Sequence, residues 1–154
     1  MIKLVRVDNR LLHGQVAMAW SKSLGIDCIL IANDQVVDDN IRKTTLKLAK
    51  PNGVKLVIKN LEDSVSALNE GVTDKYKLLI LVESIEDAFR LAGGCPAIVS
   101  VNLGGCKPRK EAVKPLCKTI SVTREEEELL HQLTARGIEV EIRQVPDDRK
   151  VIVE

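Results

Sequence analysis

Short apolar segments rich in Val, Ile and Leu recur along the whole chain, and polar or amphipathic segments separate them. Several of these segments are apolar at every position, which is typical of strands that are buried on both faces of a parallel sheet. The pattern predicts strands at residues 2–7, 28–32, 54–58, 78–82, 97–101, 119–122 and 138–142.

Helical patterns lie between most of these strands. One helix is predicted before Pro51, and we expect it to bury an apolar stripe with the spacing i, i+4, i+7 and i+8. That stripe consists of Ile41, Thr45, Leu48 and Ala49. Later helices carry N-terminal caps, which are Asn60, Ser84 and the capping box of Thr123 and Glu126.

The alternation of strands and helices predicts an α/β fold. We expect an open, mainly parallel sheet of about seven strands, with helices on both faces and a possible antiparallel edge strand near the C-terminus. No internal repeat or linker interrupts the pattern, so residues 1–154 are expected to form a single domain.

Composition narrows the classes of function. Aromatic residues make up only 2% of the chain, so a stacking platform for single-stranded nucleic acid is not expected. The formal net charge of +1 gives no overall basic field for a polyanion. We therefore expect no nucleic-acid partner.

The sequence also bears on location and on metal binding. No apolar segment is long enough to predict a membrane span, and charged residues appear at Lys3 and Arg6, so we expect no secretory signal and a cytoplasmic location. The four cysteines form no C-x-x-C pair, which argues against a zinc ribbon. We expect neither a metal nor a cofactor.

Candidate chemistry lies in the loop after the first strand, because open α/β sheets bind ligands beyond the carboxyl ends of their strands. Arg6, Arg10 and His13 cluster here, just before a helix predicted through Val16 and Trp20. A neutral imidazole is a good nucleophile near pH 7, and arginine forks and free N–H groups at a helix start suit phosphoryl oxygens. Residue types alone leave a structural histidine, and arginines paired with Asp8, as open alternatives.

A family resemblance narrows these alternatives. Residues 6–16 read Arg-Val-Asp-Asn-Arg-Leu-Leu-His-Gly-Gln-Val. This segment resembles the active-site segment of the IIB subunits of bacterial sugar phosphotransferase systems of the mannose, fructose and sorbose type. The usual sequence of that segment is Arg-Ile-Asp-Asp-Arg-Leu-Ile-His-Gly-Gln-Val. Asn9 replaces the commoner second aspartate, so a role for a second carboxylate is not carried over.

The resemblance continues along the chain in the same order. Ala32-Asn33-Asp34 resembles the second loop of the family, and Asn102-Leu103-Gly104-Gly105 resembles its Asn-x-Gly-Gly segment. The segment that ends in Arg143-Gln144-Val145-Pro146 resembles the C-terminal end of the family.

The resemblance implies a phosphotransferase mechanism. A phosphohistidine on a IIA partner would donate its phosphoryl group to Nδ1 of His13, and the membrane subunits IIC and IID would present a sugar as the final acceptor. Arg10 and Arg6 would bind the phosphoryl group, with Asp8 and Gln15 as supporting groups. The subunit would associate peripherally with the membrane permease. The resemblance names neither the sugar nor the oligomeric state.

Other positions near this loop have two interpretations each. Asn9, Asn33 and Asp34 could line the phosphoryl or partner site, although a cap on the next helix is the favoured interpretation of Asn33 and Asp34. Gly104 and Gly105 could allow a close approach of backbone to the phosphohistidine, or could serve a turn that requires positive φ.

The sequence leaves two alternatives to the phosphotransferase function open. A nucleotide-binding α/β domain would need a glycine-rich fingerprint after the first strand, and Gly14 alone does not supply one. A non-catalytic regulatory or interaction module could retain the fold, although the presence of both Arg10 and His13 argues against it.

Overall fold

The computed structural model describes residues 1–154. Its helices are α1 (Gly14–Leu24), α2 (Asn40–Leu48), α3 (Leu61–Asn69), α4 (Ile85–Gly94) and α5 (Arg124–Ala135), with a short 3-10 helix at Val36–Asp38. Its strands are β1 (Ile2–Asp8), β2 (Cys28–Ala32), β3 (Lys55–Lys59), β4 (Leu78–Val82), β5 (Ser100–Gly105), β6 (Lys114–Pro115), β7 (Ser121–Val122), β8 (Glu139–Ile142) and β9 (Val151–Val153).

Seven strands form one open sheet in the order β3-β2-β4-β1-β5-β8-β9. Every pairing within it is parallel except that of β9, which runs antiparallel to β8 at the edge. The predicted α/β sheet, mainly parallel with an antiparallel edge strand, is therefore confirmed. Strands β2 and β4 are buried at every position, which explains their unbroken apolar sequences.

Alternate side chains of the strands divide the core into two layers. On β1, Val5 and Val7 join a cluster that also contains side chains of α3, α4 and α5. Leu4 points to the opposite face, where it joins a cluster with Trp20 of α1 and Leu46 of α2. Helices therefore cover both faces of the sheet, and Arg6 and Asp8, which share the face of Leu4, point toward α1.

The C-terminal half departs from the predicted strands in three respects. The strand predicted at residues 97–101 is observed at Ser100–Gly105. Residues 119–122 do not join the main sheet, because Ser121–Val122 pairs with Lys114–Pro115 in a separate two-stranded antiparallel sheet. The seventh strand of the main sheet is instead β9, a three-residue strand that the apolar pattern did not predict. Such short segments carry too little periodicity to identify their partner strand.

The predicted buried stripe of α2 is also wrong. Ile41 and Leu48 are 84% and 83% exposed, whereas the helix contacts the core through Leu46 and the partly buried Ala49. A nine-residue helix with apolar residues on two sides offers two possible stripes, and tertiary packing selects between them.

The predicted helix caps are confirmed. The Asn60 and Ser84 side chains accept hydrogen bonds from the N–H groups of Asp63 and Asp87. Thr123 accepts from the N–H of Glu126, whose side chain accepts from the N–H of Thr123 in return. None of the helices is long and apolar enough to cross a membrane.

Replacing Thr123 by Ala should lower the free energy of unfolding by about 1 kcal/mol, because the buried N–H at the start of α5 loses its acceptor. Urea denaturation measures this loss. Thr44→Ala is the control, since the Thr44 hydroxyl donates to Asn40 O on an exposed part of α2 and alanine favours the helix. Equal losses in the two variants would contradict a specific role for the cap.

Candidate active site

His13 lies where the chain turns from β1 into α1. The N–H of Leu11 donates to Asp8 O at 2.8 Å, which closes the turn, and Leu11 adopts a positive φ of 57°. A non-glycine residue in this region is strained, and the buried Leu11 side chain holds it there. His13 then occupies the N-cap position of α1.

Asp8 is the centre of the site. Its Oδ2 atom lies 3.0 Å from Nε2 of His13 and 3.2 Å from Nη2 of Arg6. Its Oδ1 atom accepts a 3.0 Å hydrogen bond from the N–H of Arg10. The Asp8 side chain is 2% exposed and the His13 side chain 23% exposed, so the carboxylate lies beneath the ring.

The contact with Asp8 assigns the protons of the imidazole ring. A carboxylate that is paired with Arg6 offers only acceptor oxygens, so Nε2 of His13 must carry a proton and donate. In the neutral ring, Nδ1 then bears the lone pair. The geometry therefore leaves Nδ1 as the ring nitrogen with a free lone pair.

Arg6 is buried beneath Asp8, with only 2% of its side chain exposed. Its Nη1 donates to Asn102 Oδ1 at 2.7 Å and to the carbonyl oxygen of Arg143 at 3.0 Å. Burial lowers the pKa of the guanidinium, and the neighbouring Asp8 carboxylate opposes this effect. Contrary to our expectation for Arg6, this position fits the support of Asp8 better than contact with a phosphoryl group.

A line of polar side chains continues from Arg6 across the sheet. Asn102 on β5 is the register partner of both Arg6 and Glu141, and its Nδ2 donates to Glu141 Oε1 at 3.0 Å. Arg143 then donates from Nη2 to the same Glu141 oxygen at 2.9 Å. This hydrogen bond raises the pKa of the Arg143 guanidinium.

Asn102 and Glu141 were not predicted from the sequence to be site residues. Both are nearly fully buried, and each lies beside buried apolar residues of its strand. A buried polar side chain in a parallel strand requires a partner, and this is the signal that could have identified them.

The two glycines at the end of β5 have different neighbours. A Cβ atom on Gly104 would lie 2.1 Å from Cζ of Arg6, and one on Gly105 would lie 3.1 Å from Oδ1 of Asn9. Neither glycine has a positive φ, and both belong to the strand, so the turn interpretation is wrong. Gly104 provides the space for the Arg6 side chain.

Trp20 connects α1 to the loop after β8. Its Nε1 donates to Gln144 O at 3.0 Å. The guanidinium carbons of Arg6 and Arg143 lie 5.6 Å and 5.1 Å from the centroid of its ring. Trp20 is only 1% exposed, and its position fixes α1 against Arg6 and Arg143.

The exposed side of the site can receive an anion. His13 makes no side-chain cap to α1, the first turn contains no acidic residue, and its free N–H groups therefore face outward next to the ring. Gly14 and Gln15 are exposed, and a Cβ atom on Gly14 would find nothing within 4 Å. The Arg10 side chain is 66% exposed, with Nε 4.0 Å from Asp8 Oδ1.

Asn33 and Asp34 have other partners. Asn33 Oδ1 accepts from the N–H groups of Gln35 and Val36 and stabilises the start of the 3-10 helix, whose N-cap residue is Gln35. Asp34 accepts from the N–H of Leu61 and from Arg90. These contacts occupy both side chains, and none of them involves His13.

A cleft of about 360 Å³ lies beside the site, with Asn9 at its margin. Lys107 and Arg109 line it, together with an ion pair between Arg42 and Glu83. Cys106 also lines the cleft, but burial raises the pKa of its thiol to about 12. Cys106 therefore does not provide a thiolate nucleophile near neutral pH.

Gly104→Ala should lower the free energy of unfolding by about 1–3 kcal/mol, because the added methyl group overlaps the Arg6 guanidinium. Gly14→Ala is the matched control: it meets open space in a helical turn and should be neutral or stabilising by about 0.5–1 kcal/mol. Urea denaturation of both variants checks the difference. An unchanged stability of Gly104→Ala would show that Arg6 is not confined as described.

Comparison with known proteins is consistent with this geometry. The family of the PTS system sorbose subfamily IIB component matches residues 2–154. A probable phosphotransferase enzyme IIB component of Streptococcus pyogenes is 40% identical over 103 residues, which are 67% of this chain and 63% of that protein. The mannose-specific EIIAB component of Escherichia coli is 34% identical over 150 residues, 97% of this chain and 46% of that protein.

The chain thus spans less than two thirds of the length of these two relatives. The crystal structure of the IIBSor domain of the sorbose permease from Klebsiella pneumoniae has a TM-score of 0.91 and 30% identity, and the match covers 98% of this chain and 92% of that one. Since the family match extends over almost the whole sequence, this chain belongs to the sorbose subfamily of IIB components of the phosphotransferase system.

Proposed function

We propose that this chain accepts a phosphoryl group on Nδ1 of His13 from the phosphohistidine of a IIA protein and passes it to a sugar. The observation that carries this proposal is the hydrogen bond between Nε2 of His13 and Asp8. This bond holds the ring proton on the inner nitrogen and leaves the lone pair of Nδ1 for attack.

In the first step, Nδ1 forms a bond to phosphorus while the bond between phosphorus and the donor nitrogen breaks, and that nitrogen keeps the electron pair. The His13 ring becomes positively charged as the new bond forms. Asp8 stabilises this charge because it accepts the Nε2–H hydrogen bond throughout. In the second step a sugar hydroxyl oxygen attacks phosphorus, the pair returns to Nδ1 and the hydroxyl proton is released.

The phosphoryl oxygens need donors on the exposed side of the ring. The N–H groups of the first turn of α1 supply some of them, with Gln15 beside them, and the Arg10 guanidinium supplies a charged fork. Arg6 takes no direct part, because it is buried and bonded to Asp8 and Asn102. Asn9, whose side chain lies next to Gly105, forms the margin toward the cleft, where a partner protein would dock.

The partners follow from family membership and from the relatives. The name of the Escherichia coli relative joins A and B components in one protein, which supports a IIA domain as the phosphoryl donor. The Klebsiella pneumoniae structure is a domain of a sorbose permease, which supports peripheral association with the membrane subunits IIC and IID from the cytoplasmic side. Several relatives are named for mannose, sorbose or fructose, and this supports a sugar as the proposed acceptor.

Incubation with phosphoenolpyruvate, the general phosphorelay proteins and a IIA protein should label the chain with an acid-labile phosphoryl group. His13→Ala should lose the label, and NMR should place the group on Nδ1. His131→Ala is the matched control, because His131 is exposed on α5 and should leave labelling unchanged. Equal labelling of His13→Ala would overturn the assignment.

Arg10→Ala should slow phosphotransfer to His13 by about a hundredfold while the fold persists, because an exposed fork that stabilises the phosphoryl oxygens is lost. Single-turnover kinetics with the phosphorylated IIA donor measure the rate. Arg149→Ala removes an exposed arginine elsewhere and should transfer at the original rate. Unchanged kinetics of Arg10→Ala would reject the proposed role of this side chain.

A further inference from the structure

We propose that Asn102 and Glu141 are positioning residues for phosphotransfer, which set the proton position of His13 through Arg6 and Asp8. This inference rests on the proposed function of His13. It concerns two side chains that neither touch the imidazole ring nor face the exposed side of the site.

The register of the sheet brings these side chains together. Arg6 pairs with Asn102 on the neighbouring strand β5, and Asn102 pairs with Glu141 on the next strand β8. Register partners in a parallel sheet point to the same face, so the side chains form one row. Arg6, Asn102 and Glu141 are each 1–2% exposed, and water therefore does not replace their contacts.

Each member of the row restricts the next. Glu141 accepts from Nδ2 of Asn102, which leaves the amide oxygen of Asn102 directed at Arg6. This orientation of the amide is fixed, because a flipped Asn102 would place its NH2 group against the Arg6 guanidinium. Arg6 in turn donates to Oδ2 of Asp8, the same oxygen that accepts from Nε2 of His13.

The row also balances charge together with the two residues at its ends, Asp8 and Arg143. The carboxylates of Asp8 and Glu141 alternate with the guanidinium groups of Arg6 and Arg143. A buried charge that loses its partner is costly, so a change at Glu141 disturbs Arg6 although the two do not touch. Gly104 and Trp20 confine the Arg6 side chain, which leaves it little freedom to find new partners.

A purely structural role makes a different prediction. If the row only stabilised the sheet, its loss would lower stability without changing the protonation pattern of a histidine several contacts away. A positioning role requires that the Nε2–H form of neutral His13 lose its preference when Asp8 is no longer held. The two roles are therefore separable by observing the ring itself.

The test uses Asn102→Leu, which removes all three side-chain hydrogen bonds of Asn102 at similar volume. It also uses Glu141→Gln, which removes the charge and replaces one of the two oxygens that accept from Arg143 by an NH2 group. Glu139→Gln is the matched control, because it removes a carboxylate from the same strand where Glu139 is 42% exposed and paired with Lys150. Circular dichroism and urea denaturation establish that each variant is folded.

Nitrogen-15 NMR of the unphosphorylated protein reports the His13 tautomer. The original chain and Glu139→Gln should show Nε2–H only, whereas Asn102→Leu should show an added Nδ1–H population and Glu141→Gln a smaller one. In kinetics with a phosphorylated IIA donor, kcat should fall about tenfold or more for Asn102→Leu, with KM for the donor within about twofold of the original.

Each outcome has a defined meaning. An unchanged tautomer and kcat in both row variants would overturn the positioning role while leaving His13 as the acceptor. Failure of the original chain to accept a phosphoryl group would overturn the proposed function, and the tautomer measurement would still decide whether the row sets the ring proton. If Asn102→Leu does not fold, the nearly isosteric Glu141→Gln decides the question by the same two readouts.

Discussion

The buried ion pair between Arg6 and Asp8 imposes the main constraint on this structure. A guanidinium that is removed from water needs acceptors for its donors and a countercharge close by. The fold supplies Asp8 from the same strand, the amide oxygen of Asn102 and the carbonyl oxygen of Arg143. The fold also requires glycine at position 104, because a methyl group there would occupy the position of the Arg6 guanidinium. Strand order, register and one glycine are thus all needed to bury one arginine.

The same constraint explains how a loop histidine becomes ordered without being buried. Asp8 is held from below by Arg6 and accepts the N–H of Arg10 with its other oxygen, so its carboxylate plane is fixed before His13 contacts it. With Nε2 held by Asp8, the ring lies at the N-cap position of α1 and keeps its second nitrogen free of this contact. In the proposed mechanism, the buried half of the site controls the proton on Nε2, and the exposed half receives the phosphoryl group. The strained backbone of Leu11 joins the two halves.

Features that depend on neighbouring residues could be predicted from the sequence. The fully apolar strands β2 and β4, the cap at Thr123 and the placement of His13 between a strand and a helix all follow from short segments. Features that depend on distant partners could not. The sequence around Asn102 or Glu141 does not predict that the two become register partners, because a hairpin and α5 lie between them in the chain. The same reason applies to α2, whose buried side is selected by the sheet beneath it.

The two arginines near His13 illustrate how burial decides function between similar residues. In sequence, Arg6 and Arg10 are equally plausible ligands for a phosphoryl group. Arg6, however, lies within β1 and alternates with Val5 and Val7, so its side chain must point to one face of a covered sheet. Arg10 follows the end of the strand, and its side chain reaches solvent. Only a guanidinium with unused donors at the surface can follow a phosphoryl group as it arrives and leaves, whereas a buried one with fixed partners can only hold the residue that prepares the nucleophile.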